Sequence, residues 1–104
     1  MIRASIDIGT NSVRLLIAEI YDNNMKLKTL LKQVDIVRLG EGVDKNKNLN
    51  LKAIDRCINK LKEYKKIINS FEVDNINIIA TSAVRDAQNR EIFARRFKYW
   101  RRKH

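Results

Sequence analysis

A chain of 104 residues that is 44% hydrophobic is long enough for one packed domain, too short for two, and too apolar for a disordered segment. Its net charge of +10 is uneven: residues 94–104, ARRFKYWRRKH, contribute +6 and hold no acid, so charge alone does not make the body of the chain a nucleic-acid surface. One cysteine, Cys57, excludes an internal disulfide and fits a reducing compartment, and a lone histidine at position 104 without a His/Cys cluster argues against zinc.

Ile2, Ala4, Ile6 and Ile8 alternate with Arg3, Ser5 and Asp7, the period of a strand with one buried face. Arg3 and Asp7 also interrupt any signal-peptide pattern, and no apolar run is long enough to span a bilayer, so a cytoplasmic location is expected. Val13 to Ile20 is almost continuously apolar and reads as a second, more deeply buried strand. The four residues Gly9 to Ser12 between the runs fit an antiparallel hairpin. Asp22-Asn23-Asn24 marks a turn, and a third strand is expected over Lys26 to Val37, in one piece or two. RLGEGVDKNKNLN, Arg38 to Asn50, is polar and reads as a surface loop whose last residue can cap the next element. From Leu51 to Ser70, Ile54, Cys57, Ile58, Leu61, Tyr64 and Ile68 recur at steps of three and four, which predicts an amphipathic helix with Cys57 as a small buried filler. Its lysines fall mostly on the other, solvated face. Val73 to Ala80 reads as a fourth strand, and Thr81-Ser82 can cap a second helix from about Ala83. The order β-β-β-α-β-α describes an α/β domain, an antiparallel three-stranded meander extended by a parallel strand.

Two stretches carry candidate chemistry. In the hairpin, Gly9 permits a close backbone approach, and Thr10, Asn11 and Ser12 place short polar side chains beside successive N–H groups that can surround a phosphate. A carboxylate at Asp7 would repel phosphate directly and makes sense with a divalent cation or its water between them. Arg14 can supply counter-charge. The same residues also read as an ordinary hairpin with Asp7 solvated. The second stretch is IATSAVRDAQNR, Ile79 to Arg90. Thr81 and Ser82 stand where a helix N-terminus attracts anions, and Arg85, Asn89 and Arg90 lie further along. A cation in a first helical turn is locally unfavourable, so Arg85 serves either a ligand or an acidic partner, or else a surface arrangement with Asp86.

IDIGTNSVRLLI, VRLGEGVD and IATSAVRDAQNREIF, in this order and spacing, resemble the amino-terminal region of the exopolyphosphatase / guanosine pentaphosphate phosphatase family over about residues 1–93. The resemblance implies half of an actin-like ATPase domain of ribonuclease-H-like fold. It further implies hydrolysis of terminal phosphoanhydride bonds of polyphosphate or guanosine pentaphosphate, with Mg2+. Position by position, Gly9, Thr10, Asn11 and Ser12 match the first phosphate loop, with Asp7 holding the metal or its water. Arg14 matches the arginine after that loop, and Arg85 one that neutralises the phosphate chain. RLGEGVD matches a loop at the cleft mouth, with Glu41 as a weaker candidate.

Family members continue beyond the segment Asn89 to Phe93 into a Ser-Gly-x-Glu-Glu-type motif bearing the catalytic base, a second phosphate loop and a second domain. None of these occurs here, and no residue of this chain is assigned a catalytic role. Residues 1–93 are therefore expected to be the first part of such a domain, inactive alone, and residues 94–104 a divergent basic helical tail. Phe93, Phe97 and Trp100 would form one stripe of that tail. The stripe either packs on the domain or leaves a basic helix for an acidic partner, a membrane surface or nucleic acid; of these no membrane partner is expected and nucleic acid is not favoured. The tail is the basis of a second reading, a non-enzymatic basic binding or assembly module. Two copies could pair over the surface a missing domain would have covered.

Overall fold

The computed structural model describes residues 1–21, 26–41 and 48–80, together with Arg95. They form β1 (Ile2–Ile8), β2 (Ser12–Tyr21), β3 (Lys26–Ile36), α1 (Leu51–Asn69) and β4 (Asn75–Ala80). One mixed sheet has the order β3-β2-β1-β4, with the first three strands antiparallel neighbours and β4 parallel to β1. This is the expected meander extended by a parallel strand. The second helix expected from about Ala83 lies outside the described residues, as does most of the basic tail.

Alternation decides which face is buried. Ala4, Ile6 and Ile8 of β1 and Val13, Leu15 and Ile17 of β2 point to one side, where α1 covers them with Ile54, Cys57, Leu61, Tyr64 and Ile68. Each such aliphatic side chain gains about 1.5–3 kcal/mol on full burial, so this interlayer is the main source of cohesion. Asn50 caps α1, its side-chain oxygen accepting from the N–H groups of Lys52 at 2.8 Å and Ala53 at 3.3 Å. Asp74 fixes the start of β4. Its carboxylate accepts the Ile2 N–H at 2.8 Å, and its own N–H donates to the Ile2 carbonyl at 2.8 Å.

Several boundaries and placements are sharper than the sequence reading. Ser12 belongs to β2, because the Gly9 N–H donates to its carbonyl at 2.8 Å and carries the ladder one step further. β3 is one strand, with a bulge: Ile17 faces Leu31 and Ala18 faces Thr29, which leaves Leu30 as the extra residue. β4 begins at Asn75 rather than Val73, whose N–H turns back to the Phe71 carbonyl at 2.9 Å. The loop after β3 is not wholly on the surface. Val37, Leu39 and Leu49 are buried in the core cluster and draw both ends of the loop inward.

Candidate functional site

The β1–β2 turn is held from behind. The segment Val37 to Gly40 lies along it and donates three backbone hydrogen bonds. Val37 and Arg38 N–H groups reach the Asn11 carbonyl at 3.0 and 2.9 Å, and the Gly40 N–H reaches the Thr10 carbonyl at 2.8 Å. In a trans peptide the C=O and the next N–H point in opposite directions. Fixing the Thr10 carbonyl toward this segment therefore turns the Asn11 N–H away from it, and fixing the Asn11 carbonyl does the same for the Ser12 N–H. Among the described residues the amides of Thr10 and Asn11 donate no hydrogen bond. Both residues are exposed. The turn thus has engaged carbonyls on one side and, on the other, an Asn11 amide without an acceptor among the described residues, the polarity an anion needs.

Asp7 and Arg14 stand directly opposite each other on β1 and β2. Both are exposed and lie on the sheet face away from α1. Residues so paired have Cβ atoms about 5 Å apart. Among the described residues no ion pair or hydrogen bond engages either side chain. Ser12 shares this face, as do Val34 of β3 beside Arg14 and Ile79 of β4 beside Asp7. The structure thus brings Asp7, Ser12 and Arg14 to one face beside the Gly9–Asn11 turn. Arg85, Asn89 and Arg90 lie outside the described residues.

Among the described residues no group of three or more His, Cys, Asp or Glu side chains could by itself enclose a metal. One exposed carboxylate beside an anion-receptive turn nevertheless fits Mg2+, which keeps several waters and uses one or two carboxylates together with substrate phosphates. Asp7 is the residue that would hold it.

Other polar groups have structural partners. Glu41 lies 3.9 Å from the Arg38 guanidinium and 3.8 Å from that of Arg56, and its N–H donates to the Arg38 carbonyl at 3.0 Å; it fastens its own loop. On the opposite sheet face, burial opposes ionisation of Asp35. Hydrogen bonds from Gln33 at 2.8 Å and Tyr64 at 2.7 Å, with Lys60 at 3.7 Å, outweigh it and hold the carboxyl below its ordinary range. Burial, then the Asp35 carboxylate, push the Tyr64 hydroxyl up. Burial likewise pushes the Cys57 thiol up to about 12, so at neutral pH it is a protonated filler.

The residues behind the turn were the ones sequence reasoning missed. Gly40 and Arg38 fell within a segment assigned to the surface, and Arg56 within a helix face assigned to solvent. The apolar Val37 and Leu39 flanking Arg38 were the available signal that the loop turns inward.

Residues 16–99 match the Ppx/GppA phosphatase family. A bifunctional 3-dehydroquinate synthase/phosphatase of Fusobacterium nucleatum is 49% identical over 100 residues, covering 91% of this chain and 15% of that protein. An exopolyphosphatase 2 of Mycobacterium tuberculosis is 38% identical over 92 residues, covering 86% of this chain and 29% of that protein. The crystal structure of an Aquifex aeolicus Ppx/GppA family member matches with a TM-score of 0.87 at 43% identity, over 95% of this chain and 32% of that one. The chain therefore spans less than a third of each of these relatives.

Proposed function

The chain belongs to the Ppx/GppA phosphatase family, and from that premise we propose that its Gly9–Ser12 turn is the first phosphate-binding loop of a phosphoanhydride hydrolase acting on polyphosphate or guanosine pentaphosphate. The observation that carries this reading is the polarity of the turn. Its Thr10 and Asn11 carbonyls are engaged by Val37, Arg38 and Gly40, which turns the Asn11 N–H away from that segment, and among the described residues neither that amide nor the Asp7 and Arg14 side chains beside the turn have a partner. The Asn11 and Ser12 N–H groups, with the hydroxyls of Thr10 and Ser12, bind phosphoryl oxygens. Arg14 neutralises anionic charge across the sheet from Asp7, and Arg85 is assigned the same task on the sequence resemblance. Asp7 holds Mg2+ or one of its waters, and the bound cation offsets phosphate charge that the carboxylate would otherwise repel.

In-line attack on a phosphoanhydride needs a positioned water, a base, and cations on both sides of the transferred group. The turn with Asp7 and Arg14 makes one wall of such a site. By itself the chain binds the phosphate chain and does not turn it over. Calorimetry with magnesium tripolyphosphate should show binding that weakens at least tenfold in Asp7→Ala and Arg14→Ala. Polyphosphate incubated with the pure chain and magnesium should release no orthophosphate above the blank. Wild-type protein that takes up no tripolyphosphate would refute the binding role. Rapid orthophosphate release, abolished by Asp7→Ala, would refute the inactivity.

A further inference from the structure

We propose that Arg56, on α1 and remote from the outer sheet face, is a positioning residue that sets the orientation of the phosphate turn through two relayed peptide planes. Its Nε donates to the Val37 carbonyl at 3.0 Å and its Nη2 to the Arg38 carbonyl at 3.1 Å. A guanidinium is a planar fork, so holding two successive carbonyls fixes the directions of both peptide planes. With the Val37 C=O drawn to Arg56, the Arg38 N–H of the same plane points the other way, to the Asn11 carbonyl at 2.9 Å. With the Asn11 C=O drawn to Arg38, the Ser12 N–H of that plane points away again, to the side where the Ser12 carbonyl meets Gly9 of the turn. Two rigid planes thus connect a helix side chain to the Ser12 amide at the end of the turn.

The geometry at Arg38 shows that the arrangement is held against a local cost. Arg38 has φ 52°, the one left-handed non-glycine residue among those described. Such a conformation persists where surrounding contacts over-determine it. Here the Arg38 N–H is taken by Asn11, and its carbonyl by Arg56 and by the Glu41 N–H at 3.0 Å. Lysine at position 56 would keep the charge but, as a single point donor, could not hold both carbonyls in the fork geometry.

The inference rests on the reading of the turn as a phosphate loop, and the test separates the two. Magnesium tripolyphosphate binding is measured by calorimetry for the wild type, Arg56→Lys, and Arg56→Lys combined with Arg38→Gly. Backbone amide hydrogen exchange is monitored on the same three proteins. Arg56→Lys should weaken binding about tenfold. It should also speed exchange of the Arg38 and Gly40 amides by a similar factor, with Ile6 and Ile17 unchanged. Adding Arg38→Gly should recover part of the affinity, because glycine adopts a positive φ without steric penalty. A purely electrostatic role would leave Arg56→Lys at wild-type affinity, and a purely structural one would speed exchange throughout the sheet. Either result overturns the proposal, as would unaltered exchange at Arg38 and Gly40. If the wild type itself fails to bind tripolyphosphate, the phosphate-loop reading falls, and the exchange rates still decide whether Arg56 clamps the turn.

Discussion

Gly40 stands where a side chain would strike the turn it supports. A Cβ built there would lie 2.5 Å from Cγ2 of Thr10 and 3.5 Å from the Thr10 carbonyl oxygen. Thr10 is β-branched and stiff at χ1, so it cannot swing its methyl aside cheaply. Gly40→Ala should therefore destabilise the fold by about 1–3 kcal/mol, the usual cost of overpacking. Thr10→Ser removes the offending methyl and should restore most of that loss when combined with Gly40→Ala; urea titrations of the two single variants and the double variant give the coupling. A double variant no more stable than Gly40→Ala would place the strain elsewhere. At this scale the sequence was partly legible. Asp7, Thr10, Asn11 and Arg14 stand out as polar residues around a glycine turn. Nothing local marks Gly40 as the residue whose missing side chain lets the loop close on that turn.

At the scale of elements, α1 joins the sheet through packing and through one polar joint. Its apolar residues recur at helical spacing, so the helix and its buried face are legible in residues 51–70 alone. The strand β3 is less cleanly legible. The bulge at Leu30 breaks its period, and downstream the apolar Val34 and Ile36 face outward while Gln33 and Asp35 face α1. There the Tyr64 hydroxyl lies 2.7 Å from the Asp35 carboxylate and 3.1 Å from the Val13 carbonyl, fixing β3, β2 and α1 to one another. Because the folded-state pKa of Asp35 is lowered from its ordinary 3.8, the joint contributes stability that is fully present above that value. The contribution is lost as pH falls through the lowered folded-state value. Asp35→Asn should flatten the acid limb of stability against pH, and chemical denaturation between neutral pH and pH ~3 would show it. An unchanged acid limb would mean that another carboxylate dominates there.

For the whole molecule, the decisive feature is a sheet with α1 on one side and an outer face that combines polar chemistry with exposed apolar residues. Leu16, Val34, Ile36 and Ile79 are 37%, 50%, 66% and 52% exposed, flanking the row of Arg14 and Asp7. None of them contributes to the core cluster. Replacing Val34 and Ile36 together with lysine should therefore change unfolding free energy by no more than about 1 kcal/mol, taking about 0.5 kcal/mol for each exposed site. The same variant should bind less of an apolar dye and stay soluble at higher concentration, readable by dye fluorescence and light scattering. A large loss of stability would show that these side chains are buried against a contact within the folded chain. No helix among the described residues is long and apolar enough to cross a membrane.

What the sequence determined by itself was the local order: three strands, a capped helix, a fourth strand, and a glycine turn with an acid before it and an arginine after it. Those features come from spacing and residue type over a few positions, where backbone geometry dictates which side chains share a face. Tertiary structure alone decided that Val37 to Gly40 would lie against Thr10 and Asn11, that Arg56 would hold that segment, and that Tyr64 would reach Val13, 51 residues away. Such meetings depend on strand register and on the path of the crossover, which are set by the packing of the entire core and leave no periodic trace along the chain.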